Sequence, residues 1–199
     1  MSITIFSLIV LLFSVILHEV AHGSMALRLG DNTAKHAGRL TLNPLKHIEL
    51  FGTIILPILL VLTKSPFVIG WAKPVPVNPY NLRDQKWGML KVSLAGPLSN
   101  FLIAIIFGLM IRFVPLPETT SMLFSLIVIY NFVLALFNLI PLPPFDGSHI
   151  LFAFLPPQFD SLKIFLQRYG LYILLALLFL GAINYIFQGA AFLYYLIAV

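Results

Sequence analysis

The chain has 199 residues, of which 60% are hydrophobic and only 10% are charged. A soluble domain is roughly 45–50% apolar and about 25% charged, so this composition excludes a soluble single-domain enzyme and a disordered chain. The formal net charge of +5 indicates lysine and arginine in the cytoplasmic loops of a membrane protein, not a nucleic-acid partner. The chain has no cysteine, which excludes disulfides, cysteine-ligated zinc and a cysteine nucleophile.

Long apolar stretches predict membrane-spanning helices, because about 20 consecutive apolar residues are needed to cross a bilayer. The predicted spans cover roughly residues 3–28, 92–114, 121–140 and 169–187. The last stretch, 188–199, is apolar but short for a crossing, so one or two helices are expected in the C-terminal part. The sequence therefore predicts an all-α polytopic membrane protein, multi-pass in the cytoplasmic (inner) membrane.

Loop charges predict how these spans are oriented. The stretches 28–48 and 64–91 contain four and five lysine or arginine residues, so both are expected on the cytoplasmic side. The short apolar run 50–62 lies between them and must enter the membrane and return, as a re-entrant segment. The first helix then starts outside, with the N-terminus, and ends in the cytoplasm.

Two stretches between the first and second spans are predicted to be extended. Apolar and polar residues alternate around Gly38–Leu42, which is typical of a strand. Lys73–Asn78 contains prolines that remove backbone donors and disfavour helix in the residues before them. Such a segment suits an edge strand or a loop that lines a cavity.

The first span carries the sequence HEVAH at residues 18–22, an HExxH motif. His18 and His22 lie four residues apart on one helix face, close enough to bind one Zn²⁺. Glu19 lies beside them and is the expected general base. Two structural histidines are the alternative, but ionisable residues inside a span are costly and usually functional. His18 lies about 22 Å along the helix from its start at 1.5 Å per residue, which predicts a metal inside the bilayer toward the cytoplasm.

A hydrolytic zinc site needs a third protein ligand, with water in the fourth position. The candidates are His36, His47, Glu49, Asp146 and His149. Asp146 is favoured, because prolines at the end of the third span allow its carboxylate to turn back toward the first helix. Its alternative role is capping the following segment, 148–155, as an aspartate before a glycine often does at a turn. Asn138 is a candidate donor to a developing oxyanion, or else a hydrogen-bonding group between helices.

Four sequence motifs together resemble the site-2 proteases, the intramembrane zinc metalloproteases of peptidase family M50. They are HEVAHG (18–23), GWAKPVPVNP (70–79), SLAGPLSN (93–100) and NLIPLPPFDG (138–147). The resemblance implies that His18, His22 and Asp146 bind one zinc per chain and that Glu19 is the catalytic base. It also implies that Asn138 orients or stabilises the scissile peptide.

The resemblance also implies an architecture. A three-helix core would comprise the spans at 3–28, 92–114 and 121–146, inside a single membrane-embedded domain with its core at about 3–150 and C-terminal helices at about 169–199. A small membrane-associated β element, formed by 38–42 and 73–78, would hold substrate as an added strand. Larger relatives carry PDZ or CBS domains, for which this chain is too short.

The expected activity is hydrolysis of peptide bonds in or near transmembrane segments of membrane proteins. Two other classes of function stay open. In a divalent-metal transporter the His pair and Asp146 would form a transit site, although the spans carry few other acids or histidines and Glu19 would have no purpose. A non-catalytic membrane scaffold is disfavoured by the complete set of candidate residues.

Overall fold

The computed structural model describes residues 3–63 and 73–199 of the chain. Within these ranges the polypeptide forms helices joined by short irregular connections. We label the α-helices α1 (Ile3–Arg28), α2 (Thr33–His36), α3 (Leu56–Leu62), α4 (Gly88–Phe113), α5 (Glu118–Asn138), α6 (Asp146–Phe154), α7 (Asp160–Phe179) and α8 (Ala182–Ala198).

In the described part of the chain, four helical stretches are long and apolar enough to cross a membrane: Ile3–Arg28, Gly88–Phe113, Glu118–Asn138 and Pro157–Phe179. The prediction of an all-α, multi-pass membrane protein is therefore confirmed. The last span begins earlier than residue 169 and ends before Gly181, which has a φ of +89°. Because glycine adopts this left-handed conformation at little cost, the chain turns there and α8 follows as a separate helix.

Helix α4 lies at the centre of the bundle. It packs against α1, α5, α6 and α8, and α1 also contacts α5, so the three helices expected to form the core pack together. An apolar cluster joins α4, α5 and α8 through Ala104, Val128, Phe132 and Ala190, which are all at most 1% exposed. The interface of α1 with α4 and α5 instead contains buried polar groups, and the candidate site lies there.

The described residues contain no β-strand, so the predicted β element is not supported. Gly38 has a φ of +62°, which bends the first predicted strand at its start. Lys73–Asn78 has no regular secondary structure, is extended at Asn78, and does not form a ladder through its N–H groups. Those of Lys73, Val75 and Asn78 donate to a loop carbonyl and to two carboxylates. We call Lys73–Asn78 the strap.

The apolar run 50–62 is helical throughout, as a π-helical turn at Leu50–Ile55 followed directly by α3. The Glu49 side chain caps this run by accepting the N–H groups of Phe51 and Gly52. At 1.5 Å per residue the run is at most about 20 Å long, shorter than the hydrocarbon core of about 30 Å. The chain that leaves the run, 64–72, lies outside the described residues, so the re-entrant path stays a prediction.

Candidate metal centre

The HExxH motif lies within α1, well before the helix ends at Arg28. His18 and His22 are only 6% and 8% exposed. Their Nε2 atoms lie 3.0 Å apart, and Oδ2 of Asp146 lies 3.1 Å from Nε2 of His18 and 3.2 Å from Nε2 of His22. These three side chains are the one group of possible metal ligands in the described part of the chain.

Asp146 reaches the histidines because the chain folds back after α5. That helix ends at Asn138, a proline-rich turn follows, and Asp146 begins α6. Gly147 makes the tight return possible, since a Cβ at this position would lie 2.3 Å from the carbonyl oxygen of Leu139 and 2.4 Å from that of Ile140. The carboxylate therefore occupies the first turn of a helix, where negative charge is favourable.

Helix α4 forms one wall of the cluster and orients both histidines. Nδ1 of His22 lies 2.7 Å from the main-chain oxygen of Val92, and Nδ1 of His18 lies 2.6 Å from Oδ1 of Asn100. Gly96 in this wall leaves space for the histidines. A Cβ at this position would lie 2.4 Å from Nε2 of His22. The SLAGPLSN motif thus supplies both a contact and the space for the cluster.

The three facing atoms fit a divalent cation. A carbonyl oxygen only accepts hydrogen bonds, so His22 must carry its proton on Nδ1 and present the lone pair of Nε2. The carboxylate of Asp146 adds a negative charge next to it. Ligands arranged tetrahedrally at zinc distances lie about 3.3 Å apart, close to the observed 3.0–3.2 Å.

The side chain of Glu19, next to His18 on α1, contacts the strap. Its Oε2 accepts the main-chain N–H of Val75 at 2.6 Å. The strap is bound at both ends as well: the N–H of Lys73 donates to the carbonyl of His47 at 2.8 Å, and the N–H of Asn78 donates to Oδ2 of Asp31 at 2.7 Å.

Gly23 on α1 allows the strap to approach the helix closely. A Cβ at Gly23 would lie 2.7 Å from Val75 Cγ1 and 2.7 Å from Leu40 Cδ2. At the far end of the strap, Asp31 is fully buried and also accepts from Thr33 and from Nδ2 of Asn81. The strap therefore lies against α1 between the two carboxylates.

The remaining candidates lie outside the cluster. Asn138 donates through Nδ2 to the carbonyl of Leu134 in its own helix, at 2.9 Å. Nε2 of His47 is bonded to the carbonyl of Thr41, and His36 and His149 are exposed. Glu49 caps the helical run that follows it.

Sequence reasoning missed several residues around the site. Val75 lies in the GWAKPVPVNP motif, but nothing in that motif connects it with Glu19, and Asp31 lies in none of the four motifs. Asn131, in contrast, is a polar residue inside the predicted span 121–140, and such residues in a membrane helix usually bond to a neighbouring helix. The position of Asn131 in this span could therefore have predicted its hydrogen bond to a neighbouring helix.

Comparison with known proteins agrees with the chemistry of this site. A family model described as peptidase family M50 matches residues 110–181. The chain is 37% identical over 186 residues to YwhC of Bacillus subtilis, a protein named as a zinc metalloprotease, covering 89% of this chain and 81% of that protein. It is 32% identical to Rip2 of Mycolicibacterium smegmatis, also named as a zinc metalloprotease, covering 87% and 66% of the two chains.

A more distant relative is a zinc metalloprotease of Methanocaldococcus jannaschii, 29% identical over 157 residues. This match covers 78% of the present chain but only 36% of the archaeal protein. No solved structure matches the chain.

Proposed function

Because the chain belongs to peptidase family M50 and is an intramembrane zinc metalloprotease, we propose that His18, His22 and Asp146 hold its zinc ion and that Glu19 is the general base. The observation that carries the assignment is the convergence of two imidazole nitrogens and one carboxylate oxygen within 3.0–3.2 Å. Glu19 follows His18 directly on the same helix, as the motif requires.

When bound, zinc polarises the scissile carbonyl and lowers the pKa of its water. Glu19 would take a proton from the water whose oxygen attacks the scissile carbonyl carbon, and would pass it to the amine nitrogen as the C–N bond breaks. The Val75 N–H binds Oε2 of Glu19, and we assign the proton transfer to the other carboxylate oxygen, Oε1. A carboxylate with one oxygen fixed presents the second in a defined direction.

Asn138 is proposed to orient the scissile peptide. Its NH₂ group currently donates to the carbonyl of Leu134, one turn earlier in α5. An amide NH₂ group has two donors, so the second N–H of Asn138 can donate to a developing oxyanion while the first keeps its bond to Leu134. The side chain is half-buried.

The substrate is proposed to be a transmembrane segment of another membrane protein. A helix bonds its own carbonyl groups internally, so the segment must unwind locally before hydrolysis. The basic loops are proposed to lie in the cytoplasm, with the N-terminus outside and the run 50–62 re-entrant. In this orientation the cluster lies within the bilayer toward its cytoplasmic side, in one membrane-embedded domain.

Zinc content and cleavage, measured on the same purified preparations, test the assignment. We expect about one zinc per chain in the wild type and cleavage of some members of a panel of synthetic single-span peptides, read by mass spectrometry. Glu19→Gln should retain zinc and lose cleavage, whereas Asp146→Ala should lose both. Cleavage that persists in Glu19→Gln would overturn the role of Glu19, and full zinc in Asp146→Ala would overturn the ligand set.

Zinc uptake into proteoliposomes separates the protease from the transporter. A protease admits no more zinc than empty liposomes, in both the wild type and Glu19→Gln. Uptake by the wild type that is altered in Glu19→Gln, without any peptide cleavage, would favour transport.

A further inference from the structure

A chain of buried polar side chains leads from the proposed metal cluster into the helix bundle. Asn100 on α4 and Asn131 on α5 are both fully buried, and Ser14 on α1 is 4% exposed. Nδ2 of Asn100 lies 2.9 Å from Oδ1 of Asn131, and Nδ2 of Asn131 lies 2.9 Å from Oγ of Ser14. Buried polar groups cost free energy unless they are hydrogen-bonded. Here the oxygen and the NH₂ group of both side-chain amides have hydrogen-bond partners.

Main-chain carbonyls determine which end of each side-chain amide in this series is the donor and which is the acceptor. A side-chain amide can be turned so that its oxygen and nitrogen exchange places. The carbonyl of Ile127 lies 2.9 Å from one end of the Asn131 amide, and the carbonyl of Ser14 lies 3.3 Å from one end of the Asn100 amide. Carbonyls only accept, so both need the NH₂ group facing them.

Each amide then presents its oxygen at the opposite end. Oδ1 of Asn131 accepts from Asn100, and Oδ1 of Asn100 lies 2.6 Å from Nδ1 of His18. An oxygen at that place accepts a hydrogen bond from Nδ1–H, so in the neutral ring of His18 the lone pair is on Nε2, which faces Asp146 and His22. The second histidine reaches the same state more directly, through the carbonyl of Val92.

We propose that Asn100, held in direction by Asn131 and Ser14, selects the Nδ1-protonated tautomer of His18 and so prepares its Nε2 to bind zinc. Asn100 is a positioning residue that acts through His18, and Asn131 acts through Asn100. The inference rests on the proposed function, because it takes His18 as a zinc ligand. It adds Asn100 on α4 and Asn131 on α5 to the site. Asn131 does not contact any of the three proposed ligands.

A pair of variants at one position separates this role from simple helix packing. Asn100→Asp keeps an oxygen acceptor toward His18 Nδ1 but loses the donor toward Asn131 and Ser14. Asn100→Leu has a similar volume and no acceptor. Loss of the partner that orients a ligating histidine typically weakens metal binding about 10–100-fold. We therefore expect a loss of that size in Asn100→Leu and zinc affinity close to wild type in Asn100→Asp.

Asn131→Leu extends the test to a residue remote from the ligands. It should weaken zinc binding, though less than Asn100→Leu. Its control is Ser125→Ala on the same helix, which removes the hydrogen bond of 2.8 Å between Ser125 and the hydroxyl of Tyr194 and should leave zinc affinity unchanged. Helix content by circular dichroism and thermal unfolding in detergent accompany each variant.

A measurement on the unsubstituted protein keeps the proposal testable even if these variants fold poorly. Nitrogen-15 NMR of histidine-labelled, metal-free protein reports which ring nitrogen carries the proton, and His18→Gln identifies the signals of His18. We expect a protonated Nδ1. A ring protonated on Nε2 but not on Nδ1, or equal losses of zinc affinity in Asn100→Asp and Asn100→Leu, would overturn the inference.

The inference and the proposed function fail in different ways. Zinc binding that is unchanged in His18→Gln would remove His18 from the ligand set and with it the proposed function. Zinc binding that depends on His18 but stays at wild-type strength in well-folded Asn100→Leu would overturn the inference alone.

Discussion

The main-chain N–H of Val75 donates a hydrogen bond of 2.6 Å to Oε2 of Glu19. These residues are 56 positions apart in the chain, and the donor belongs to a loop segment, whereas the acceptor lies in a membrane helix. The orientation of the proposed base therefore depends on a segment outside its own helix. This dependence can be tested at the strap without any change to the HExxH motif.

Replacing Val75 by proline removes the N–H and leaves the strap extended. We expect Val75→Pro to lower the turnover rate by about tenfold or more, since a positioned general base typically contributes about 10²–10⁴-fold. Zinc content should be unchanged. Val75→Ala is the control, because it shortens the same side chain and keeps the N–H. Equal rates in the two variants would argue against an orienting role for the bond.

Gly96 should accept no side chain while the metal site is intact. A Cβ there would lie 2.4 Å from Nε2 of His22 and 2.6 Å from Nε2 of His18, at the atoms proposed to bind zinc. We expect Gly96→Ala to lose zinc, as measured by elemental analysis. Gly108→Ala on the same helix is the control, since its Cβ would meet the Ile197 side chain at 2.8 Å. That variant should lose some stability and keep its zinc.

Gly147 is expected to be equally intolerant, for a different reason. A Cβ there would collide with the carbonyl oxygens of Leu139 and Ile140 at 2.3 and 2.4 Å, and main-chain atoms cannot rotate away. Gly147→Ala should displace the start of α6 and lower both thermal stability and zinc content. Gly189→Ala, whose Cβ would meet only Leu136 Cδ1 at 3.3 Å, should change neither. Retention of zinc in Gly147→Ala would mean that α6 can shift without moving Asp146.

Asp31 should make the stability of the protein depend on acid pH. Burial opposes ionisation of its carboxyl group, but hydrogen bonds from Thr33, Asn81 and Asn78 outweigh burial and lower its pKa from 3.8 to about 2. The ionised form is thus favoured by folding, and this contribution is present above pH 3.8 and is lost as the pH falls toward 2. The pKa difference corresponds to about 2 kcal/mol.

Unfolding measured in detergent between pH 2 and pH 5 checks this expectation. The wild type should be more stable than Asp31→Asn at the upper end of this range, and the difference should shrink as the pH approaches 2. Asp160→Asn is the control, because that carboxylate is largely exposed and its one hydrogen bond is to Lys163. A difference between wild type and Asp31→Asn that does not change with pH would contradict the prediction.

Parts of this site are visible in the sequence because helix geometry alone determines them. Residues at i and i+4 share a helix face, so the pairing of His18 with His22 follows from their spacing once α1 is recognised as a helix. The approach of Asp146 is less determined, but prolines after Asn138 indicate that the chain leaves its helix there. In both cases the local sequence pattern was enough to predict that these side chains lie close together.

Other contacts depend on how distant segments pack, and no local pattern reports them. The prolines of the strap predict an extended backbone, but N–H groups of the strap bond to Glu19 and Asp31 and not to a neighbouring strand. The alternation around Gly38–Leu42 indicates a strand only if a partner strand is available. The bond between Asn100 and Asn131 likewise requires the packing of two spans that are separate in the sequence.

The carbonyl of Val92 that holds His22 has a consequence for how this site can diverge. Every amino acid at position 92 brings the same carbonyl, whereas the partner of His18 is a side chain and can be exchanged by a single codon change. Substitutions in α4 can therefore change the hydrogen-bond partner of His18, while His22 keeps a main-chain carbonyl as its partner. Variation in metal affinity among natural variants should accordingly map to position 100 and not to position 92.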